Sequence, residues 1–383
     1  MRALSDIACA LATCVTIAAT CVTTAAAAPE VPRALVFDPP AQAKISKKFT
    51  FQHVLDAREV LLERDGEPPS SAPLIRLKTV ETLVLNDEYR ATSQGAPDVL
   101  RRYYSEIGFQ VSVFPPGADE PLQQLTATSP FRGVGVVFTR VPDASDGDGY
   151  GRYFDGRESL EEALPGLGAD LDMRVLLPSR EVRVGDTWEV APASMKHVLA
   201  GHGTVPIALK KGFDDPILRT TATGVGGSLI EVFGGEASGK IVARLASIDA
   251  QDGADIARIE LDVDLTTKRD QTALARRQRT RGEFLAGRNV ASSDVVFHFR
   301  GTGVLSWNLK ERRLAAFQLA GDEEVTRDMR VSAGPESKAR RDLLRMAGRY
   351  EITVEVGAPV AEVGAPESAV PAPTGVADDE DGD

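Results

Sequence analysis

The chain has 383 residues, 26% of them charged and 43% hydrophobic, and its 56 acidic and 44 basic side chains give a net charge of −12. This is the composition of a globular protein, so a collagen-like or disorder-dominated chain is excluded. An acidic chain lacks the broad cationic surface that neutralises phosphates, which excludes nucleic acid as an expected partner.

Residues 1–28 predict export. Arg2 precedes the apolar stretch 7–22, and four alanines at 25–28 stand directly before Pro29. A basic start, an apolar stretch and small residues at the cleavage point are typical of a secretory signal peptide. We therefore expect cleavage near Ala28 and an exported protein, periplasmic or extracellular and associated with the envelope.

All three cysteines, Cys9, Cys14 and Cys21, lie inside this segment. After cleavage the chain would have no disulfide, thiol nucleophile or thiolate metal site. A second interpretation stays open, because the residues Leu-Ala-Thr-Cys that end at Cys14 approach a lipobox. In that case Cys14 would become a lipidated N-terminus.

The N-terminal half predicts strands joined by polar turns. Residues 74–86, 108–114 and 133–140 alternate or are rich in apolar residues, and each run ends at turn-forming residues. A short helix is predicted after Asp155, with Leu160 and Leu164 on its apolar side and Pro165 at its end.

Two long hairpins are predicted in the C-terminal half. Residues 239–249 and 257–266 alternate in polarity and are joined by 250–253, which contains an Asp-Gly turn. Residues 295–309 form the first strand of the second hairpin, which turns at 310–312 and returns along 314–320. Gly301 and Gly303 on its apolar face predict a bend or a close backbone approach.

The remaining segments predict one more helix, one more strand and a tail. Residues 335–346 favour a helix with Leu343, Leu344 and Met346 inward, and 350–356 favour a final strand. Residues 357–383 are acidic and rich in proline, which predicts a disordered extension.

These elements predict a mainly β fold: an antiparallel meander, a curved sheet or an open barrel or sandwich, with a few short helices. The folded region is expected at 29–356, either as one domain or as two fused halves that meet near 191–215. The preferred shape is a curved sheet that closes on a helix, as in periplasmic lipoprotein-carrier folds, and this fold-level analogy carries little functional weight.

Several short motifs lie between residues 74 and 330: Asn86-Asp87-Glu88-Tyr89, Arg101-Arg102-Tyr103-Tyr104, Leu176-Leu177-Pro178, Val184-Gly185-Asp186-Thr187-Trp188, and Gly301-Thr302-Gly303 followed by Trp307-Asn308-Leu309 and Arg313-Leu314. Together they resemble the landmarks of uncharacterised exported bacterial proteins, namely planctomycete-type hypothetical proteins and the similar DUF6263 families. The resemblance implies a secreted or envelope β-rich domain without an established activity. It supplies no catalytic residue.

Motifs for catalysis or metal binding are scarce. The sequence contains no G-x-S-x-G, H-E-x-x-H or G-x-x-x-x-G-K-[ST], and its four histidines, at 53, 197, 202 and 298, lack the spacing of a zinc site. Asp146, Asp148 and Asp155 are weak calcium candidates, although the EF-hand register fails because Arg157 occupies the position of the bidentate acid. No cofactor is predicted.

One basic cluster lies in residues 268–288, with seven arginines and lysines. Such a patch would suit anionic lipid or polysaccharide, but a solvated connection between the two hairpins is the more common explanation.

The sequence therefore favours an exported, non-enzymatic envelope or binding protein. The first alternative is a carrier of an apolar ligand or lipid in a sheet cavity, with a wall made of Leu261, Phe297, Phe299 and Trp307. The second is a hydrolase of unknown type, which would need a cleft of convergent carboxylates. The tryptophans Trp188 and Trp307 are expected to serve the core.

Overall fold

A computed structural model describes residues 31–64, 67–71, 74–141, 149–156, 161–200, 203, 205, 233, 235–251, 253–273, 275–276, 289–332 and 340–358. The described residues from Pro32 onward belong to one compact unit. They form thirteen strands of one antiparallel sheet, which confirms the predicted mainly β fold. No helix in this part of the chain is long and apolar enough to cross a membrane.

The strands are β1 (Ala43–Arg64), β2 (Glu67–Ser71), β3 (Arg76–Ser93), β4 (Ala96–Phe114), β5 (Gln123–Thr128), β6 (Val134–Arg140), β7 (Tyr150–Phe154), β8 (Thr187–Val190), β9 (Glu236–Gln251), β10 (Ala254–Asp270), β11 (Asn289–Asn308), β12 (Arg313–Ser332) and β13 (Arg340–Gly357). Their order in the sheet is β7-β6-β4-β3-β1-β13-β12-β11-β10-β9-β8, with β2 beside β1 and β5 beside β4. The path is open, with β7 and β8 at its two edges.

Most neighbours in the sheet are also neighbours in sequence, and one of the exceptions, the pairing of β1 with β13, joins the two halves of the chain. Strand β1 pairs along its length with β13, so that Thr50 lies opposite Thr353. Strands on both sides of residues 191–215 therefore share one sheet.

Both predicted C-terminal hairpins are present. In the β9–β10 hairpin Gln251 lies opposite Ala254, which leaves a two-residue turn. The β11–β12 hairpin is longer than its prediction, because pairing continues from Asn308 back to Asn289. Strand β4 also begins at Ala96 rather than at residue 108, and it follows a two-residue turn in which Gln94 and Gly95 both have positive φ.

The helix predicted at 335–346 is wrong over the residues that the structure describes. Strand β13 begins at Arg340, and Met346 lies opposite Ala57 on one side and Val325 on the other. A strand with partners on both sides satisfies its backbone hydrogen bonds, and this pairing overrides the local helical preference. The helix predicted after Asp155 is a 3-10 helix over Glu161–Gly166 that contains Pro165 instead of ending at it.

One face of the sheet, here called the inner face, buries a continuous apolar surface. Phe49 and Phe51 on β1, Leu261 on β10 and Phe297 on β11 are each at most 3% exposed. They all belong to a single core cluster that extends across the sheet.

The sheet is strongly curved. The ring of Phe37 lies 5.5 Å from Tyr89 on β3 and 6.3 Å from Trp307 on β11, so these two side chains are within about 12 Å of each other. In a flat sheet, four strand spacings would separate β3 from β11 by roughly 19 Å. At Gly301, opposite Gly321, a Cβ atom would lie 2.4 Å from the carbonyl oxygen of Ala320, which confirms the predicted close approach.

A segment called the strap, residues 161–200, covers the inner face. It contains 3-10 helices at Glu161–Gly166, Arg174–Leu176 and Pro192–Met195, strand β8, and the short helix α1 (Lys196–Leu199). Its buried apolar side chains join the core cluster of the sheet; these are Leu164, Leu167, Ala169, Leu171, Met173, Leu176, Val182, Val190, Met195, Val198, Leu199 and Ala200.

Candidate functional site

The structure brings the four predicted wall residues together on the inner face. Phe297, Phe299 and Trp307 have no measurable exposure, and Leu261 is 3% exposed. The rings of Phe297 and Phe299 stack with centroids 6.5 Å apart, and Phe299 meets Tyr350 edge-on at 6.0 Å. In this arrangement the wall is packed within the core cluster, beneath the strap and residues 31–40.

A buried charge cluster lies beside this wall and was missed by sequence reasoning. It consists of Lys47 on β1, Asp87 and Tyr89 on β3, Arg102 on β4, and Asp172 in the strap, all at most 1% exposed. The Lys47 ammonium donates to Asp87 at 2.8 Å, to the hydroxyl of Tyr89 at 2.5 Å and to Asp172 at 2.6 Å. All three of its hydrogens thus have acceptors.

Arg102 completes the cluster and attaches the strap. Its Nε and Nη2 donate to the two carboxylate oxygens of Asp87 at 2.7 and 3.0 Å, which is a bidentate pair. Its Nη1 and Nη2 also donate to the strap carbonyls of Gly168 and Ala169, at 2.8 and 3.1 Å.

The electrostatics keep the Asp87 carboxyl charged and the Tyr89 phenol neutral. Burial by itself would raise the pKa of Asp87, but the adjacent charges of Arg102 and Lys47 outweigh it and lower the pKa to about 2. Burial and the nearby Asp172 raise the pKa of Tyr89, whose hydroxyl donates to Asp172 at 2.7 Å. The cluster contains two basic and two acidic side chains, all at most 1% exposed, and it connects the strap to β1, β3 and β4.

A signal for this cluster does exist in the sequence. Asp87 and Tyr89 continue the period-two register of Leu83 and Leu85, which places an acid on the apolar side of a strand. A charge at such a position needs a buried partner, but the register does not indicate which residue supplies it.

A second buried polar pair joins β1 to β12. Nδ1 of His53 lies 2.9 Å from the carboxylate of Glu323, across Gly348 of β13. The imidazole stacks on Tyr350 with ring centroids 4.0 Å apart, and the Tyr350 hydroxyl donates to the carbonyl of Leu199 in the strap at 2.8 Å. The His53–Glu323 pair therefore lies against Tyr350, whose hydrogen bond to Leu199 is a second attachment of the strap to the sheet.

The predicted metal candidates are only partly within the described residues. Asp155 forms an ion pair with Arg101, whereas Asp146 and Asp148 lie outside the described residues, so the calcium hypothesis stays a prediction. His298 lies on the outer face with its Nε2 at 3.2 Å from Asp264, and His202 is outside the described residues. Within the described ranges, no three metal-binding side chains come together.

The outer face carries an open groove of about 740 Å³ across β9 to β13. Its outward side chains include Arg244, Glu260, Thr302 and Gln318. Arg244 donates to Glu260 at 2.5 Å, and this hydrogen bond lowers the pKa of the Glu260 carboxyl. The aromatic wall residues do not line this groove, whose lining mixes charged, polar and aliphatic side chains.

Comparisons with known proteins show little. No protein-family profile and no curated protein matches the chain. A solved structure of lipovitellin described in terms of lipid–protein interactions aligns with 85% of this chain at 10% identity and a TM-score of 0.28, and the chain spans about a quarter (26%) of that protein's length.

Two further solved structures also align. An outer membrane channel from Pseudomonas putida F1 matches over 86% of this chain and all of its own length, at 9% identity and a TM-score of 0.18. OpdQ of Pseudomonas aeruginosa matches over 81% of this chain and 98% of its own, at 8% identity and a TM-score of 0.13. These TM-scores are all far below 0.5, so the likenesses carry no functional conclusion.

Proposed function

We propose that this protein is an exported, non-enzymatic binding protein of the cell envelope that carries an apolar ligand, such as a lipid acyl chain, on the inner face of its curved sheet. The single observation that supports this function most is the cover of the inner face. A strap of short helices and turns with the edge strand β8, rather than a second sheet, lies over a continuous wall of aromatic and aliphatic side chains.

The way in which the strap is attached supports a cover that separates from the sheet. Its polar attachments include hydrogen bonds from Lys47, Arg102 and Tyr350. Buried ion pairs contribute less net stability than well-packed apolar residues of the same volume, because their desolvation offsets their attraction. When such an interface opens, water solvates the charges again, so opening costs less than it would for an all-apolar contact of the same area.

The hydrolase alternative gains no support from the described residues. The buried carboxylates of Asp87 and Asp172 are held by cations and closed to solvent, whereas a catalytic pair must reach a substrate. The paired charges of the outer groove likewise lack the desolvation that shifts the pKa of a catalytic acid.

The test is a titration with a neutral apolar probe. The chain from residue 29 to residue 383 is titrated with the methyl ester of 11-dansylaminoundecanoic acid, whose emission rises in apolar surroundings. We expect a saturable rise at about one probe per chain. Phe299→Leu on the inner face should change the affinity, while Thr302→Ala on the outer face should leave it unchanged; a linear, unsaturated rise in the wild type would overturn the proposal.

A further inference from the structure

The inner face is not apolar throughout. Beyond the strap, on β11 and β12, it carries Arg327 and Ser293 among buried apolar neighbours. Along β12 the inner positions are Val325, Arg327, Met329 and Val331, and all except Arg327 are fully buried. Because Ser293 lies opposite Met329 and Val295 lies opposite Arg327, the guanidinium and the hydroxyl occupy diagonal positions on the same face.

Both side chains have a buried polar atom without a hydrogen-bond partner among the described residues. These atoms are Nε of Arg327 and Oγ of Ser293. The contact of Arg327 is a weak one, in which Nη2 lies 3.6 Å from the sulfur of Met329. Buried donors of this kind are costly to leave unmatched, and in native proteins each one requires an explanation.

Within the described part of the chain, the electrostatic surroundings of Arg327 contain one acidic side chain, that of Asp342. Burial lowers the pKa of Arg327, and the charge of Asp342 opposes this shift without a hydrogen bond between the two side chains. Asp342 lies opposite Met329, and on β13 it is two residues from Leu344, which lies opposite Arg327. The site therefore keeps a largely desolvated cation whose Nε has no hydrogen-bond partner among the described residues, on an apolar surface.

We propose that Arg327 and Ser293 bind the anionic head group of an amphiphilic ligand whose apolar chain lies along the inner face. Guanidinium nitrogens match the two oxygens of a carboxylate or phosphate, and the serine hydroxyl supplies a further donor. Val295, Val325 and Met346 surround the site and provide apolar contact for the first carbons of the chain. This inference rests on the proposed carrier function and specifies the chemical class of its ligand.

The experiment compares 11-dansylaminoundecanoic acid with its methyl ester, in which an uncharged ester group replaces the carboxylate. Both are titrated into the wild type, Arg327→Met, Arg327→Lys and Arg330→Met. Arg330 is an exposed arginine on the outer face of the same strand and is the matched control. We expect Arg327→Met to weaken binding of the acid at least tenfold and to leave the ester unchanged. Arg327→Lys should restore part of the loss, and Arg330→Met should behave like the wild type.

Two failures are distinguishable. If the wild type binds neither probe, the carrier function itself is wrong. If the wild type binds both and Arg327→Met changes them equally, the carrier function stands and the head-group site is overturned. Urea denaturation of Arg327→Met checks the fold, and we expect no loss of stability because the substitution removes a desolvated charge.

Competition separates the two sources of such an anion. Oleate and oleoyl lysophosphatidic acid are used to displace the dansyl acid from the wild type and from Arg327→Met. Loss of competition by either ligand in the variant supports the site, and the ligand that loses more identifies carboxylate or phosphate as the preferred head group. Equal competition by both ligands in the two proteins would contradict it.

Discussion

The Lys47 ammonium on β1 lies 2.6 Å from the carboxylate of Asp172 in the strap, and both side chains are 1% exposed. This ion pair connects residues 125 positions apart in sequence. The strap is therefore attached in the buried interior of the protein, where an unpaired charge costs the most free energy.

Replacing Lys47 alone should destabilise the protein strongly. Lys47→Met leaves the Asp172 carboxylate buried without its cation, and breaking a buried pair in this way costs about 3–5 kcal/mol. The double variant Lys47→Met/Asp172→Leu removes both charges and should cost clearly less than the sum of the single variants. Urea denaturation of the four proteins gives the coupling free energy, and simple additivity would show that the pair does not act as a unit.

Acid should weaken the cluster through Asp87. Its pKa in the folded protein is about 2, below the value of about 4 in an unfolded chain. The resulting stability is therefore fully present above pH 4 and is lost as the pH falls through 2. A shift of this size corresponds to about 2 kcal/mol. Urea midpoints measured from pH 5 to pH 2 should fall over this window, and the fall should be smaller in Asp87→Asn; an equal fall would assign the acid sensitivity to other carboxyls.

Trp307 should be a core residue in the closed form. Trp307→Ala leaves a cavity in the fully buried wall and should cost about 3–5 kcal/mol in free energy of unfolding. The matched control is Thr302→Ala on the same strand, where the side chain is exposed and the cost should be small. Chemical denaturation compares them, and a wild-type midpoint for Trp307→Ala would mean that the inner face is not packed.

A disulfide between the strap and the N-terminal segment should slow ligand uptake. Arg33 and Val182 exchange two backbone hydrogen bonds, at 2.8 and 2.9 Å, so their Cα atoms are about 5.5 Å apart, which suits a disulfide. In the chain from residue 29 to residue 383, Arg33→Cys/Val182→Cys introduces the only two thiols.

We expect the oxidised form to take up the neutral dansyl ester at least tenfold more slowly than the same protein after reduction. Arg33→Cys alone, treated with the same oxidant and reductant, is the control. Equal rates for the oxidised and reduced forms would show that uptake does not require the strap to separate at this point.

Export predicts a defined mature N-terminus. Intact mass spectrometry of protein from the native envelope should give the mass of a chain that begins at Pro29. A mass that corresponds to a lipid-modified chain beginning at Cys14 would replace this prediction with a membrane anchor.

Period-two alternation was enough to predict the hairpins β9–β10 and β11–β12, and to place Phe297, Phe299 and Trp307 on one face. This signal is local, because a strand with one buried and one solvated face must alternate whatever its neighbours are. The close backbone approach at Gly301 was likewise readable from two glycines on an apolar face.

Other features were decided only by the tertiary structure. Residues 340–346 are compatible with a helix or a strand, and pairing with β1 and β12 selects the strand. The register of β3 shows an acid among apolar residues at Asp87, but its partners come from β1, β4 and the strap. A buried charge is tolerated only where opposite charges converge, and that convergence depends on the curvature of the sheet and the path of the strap, which no local sequence pattern encodes.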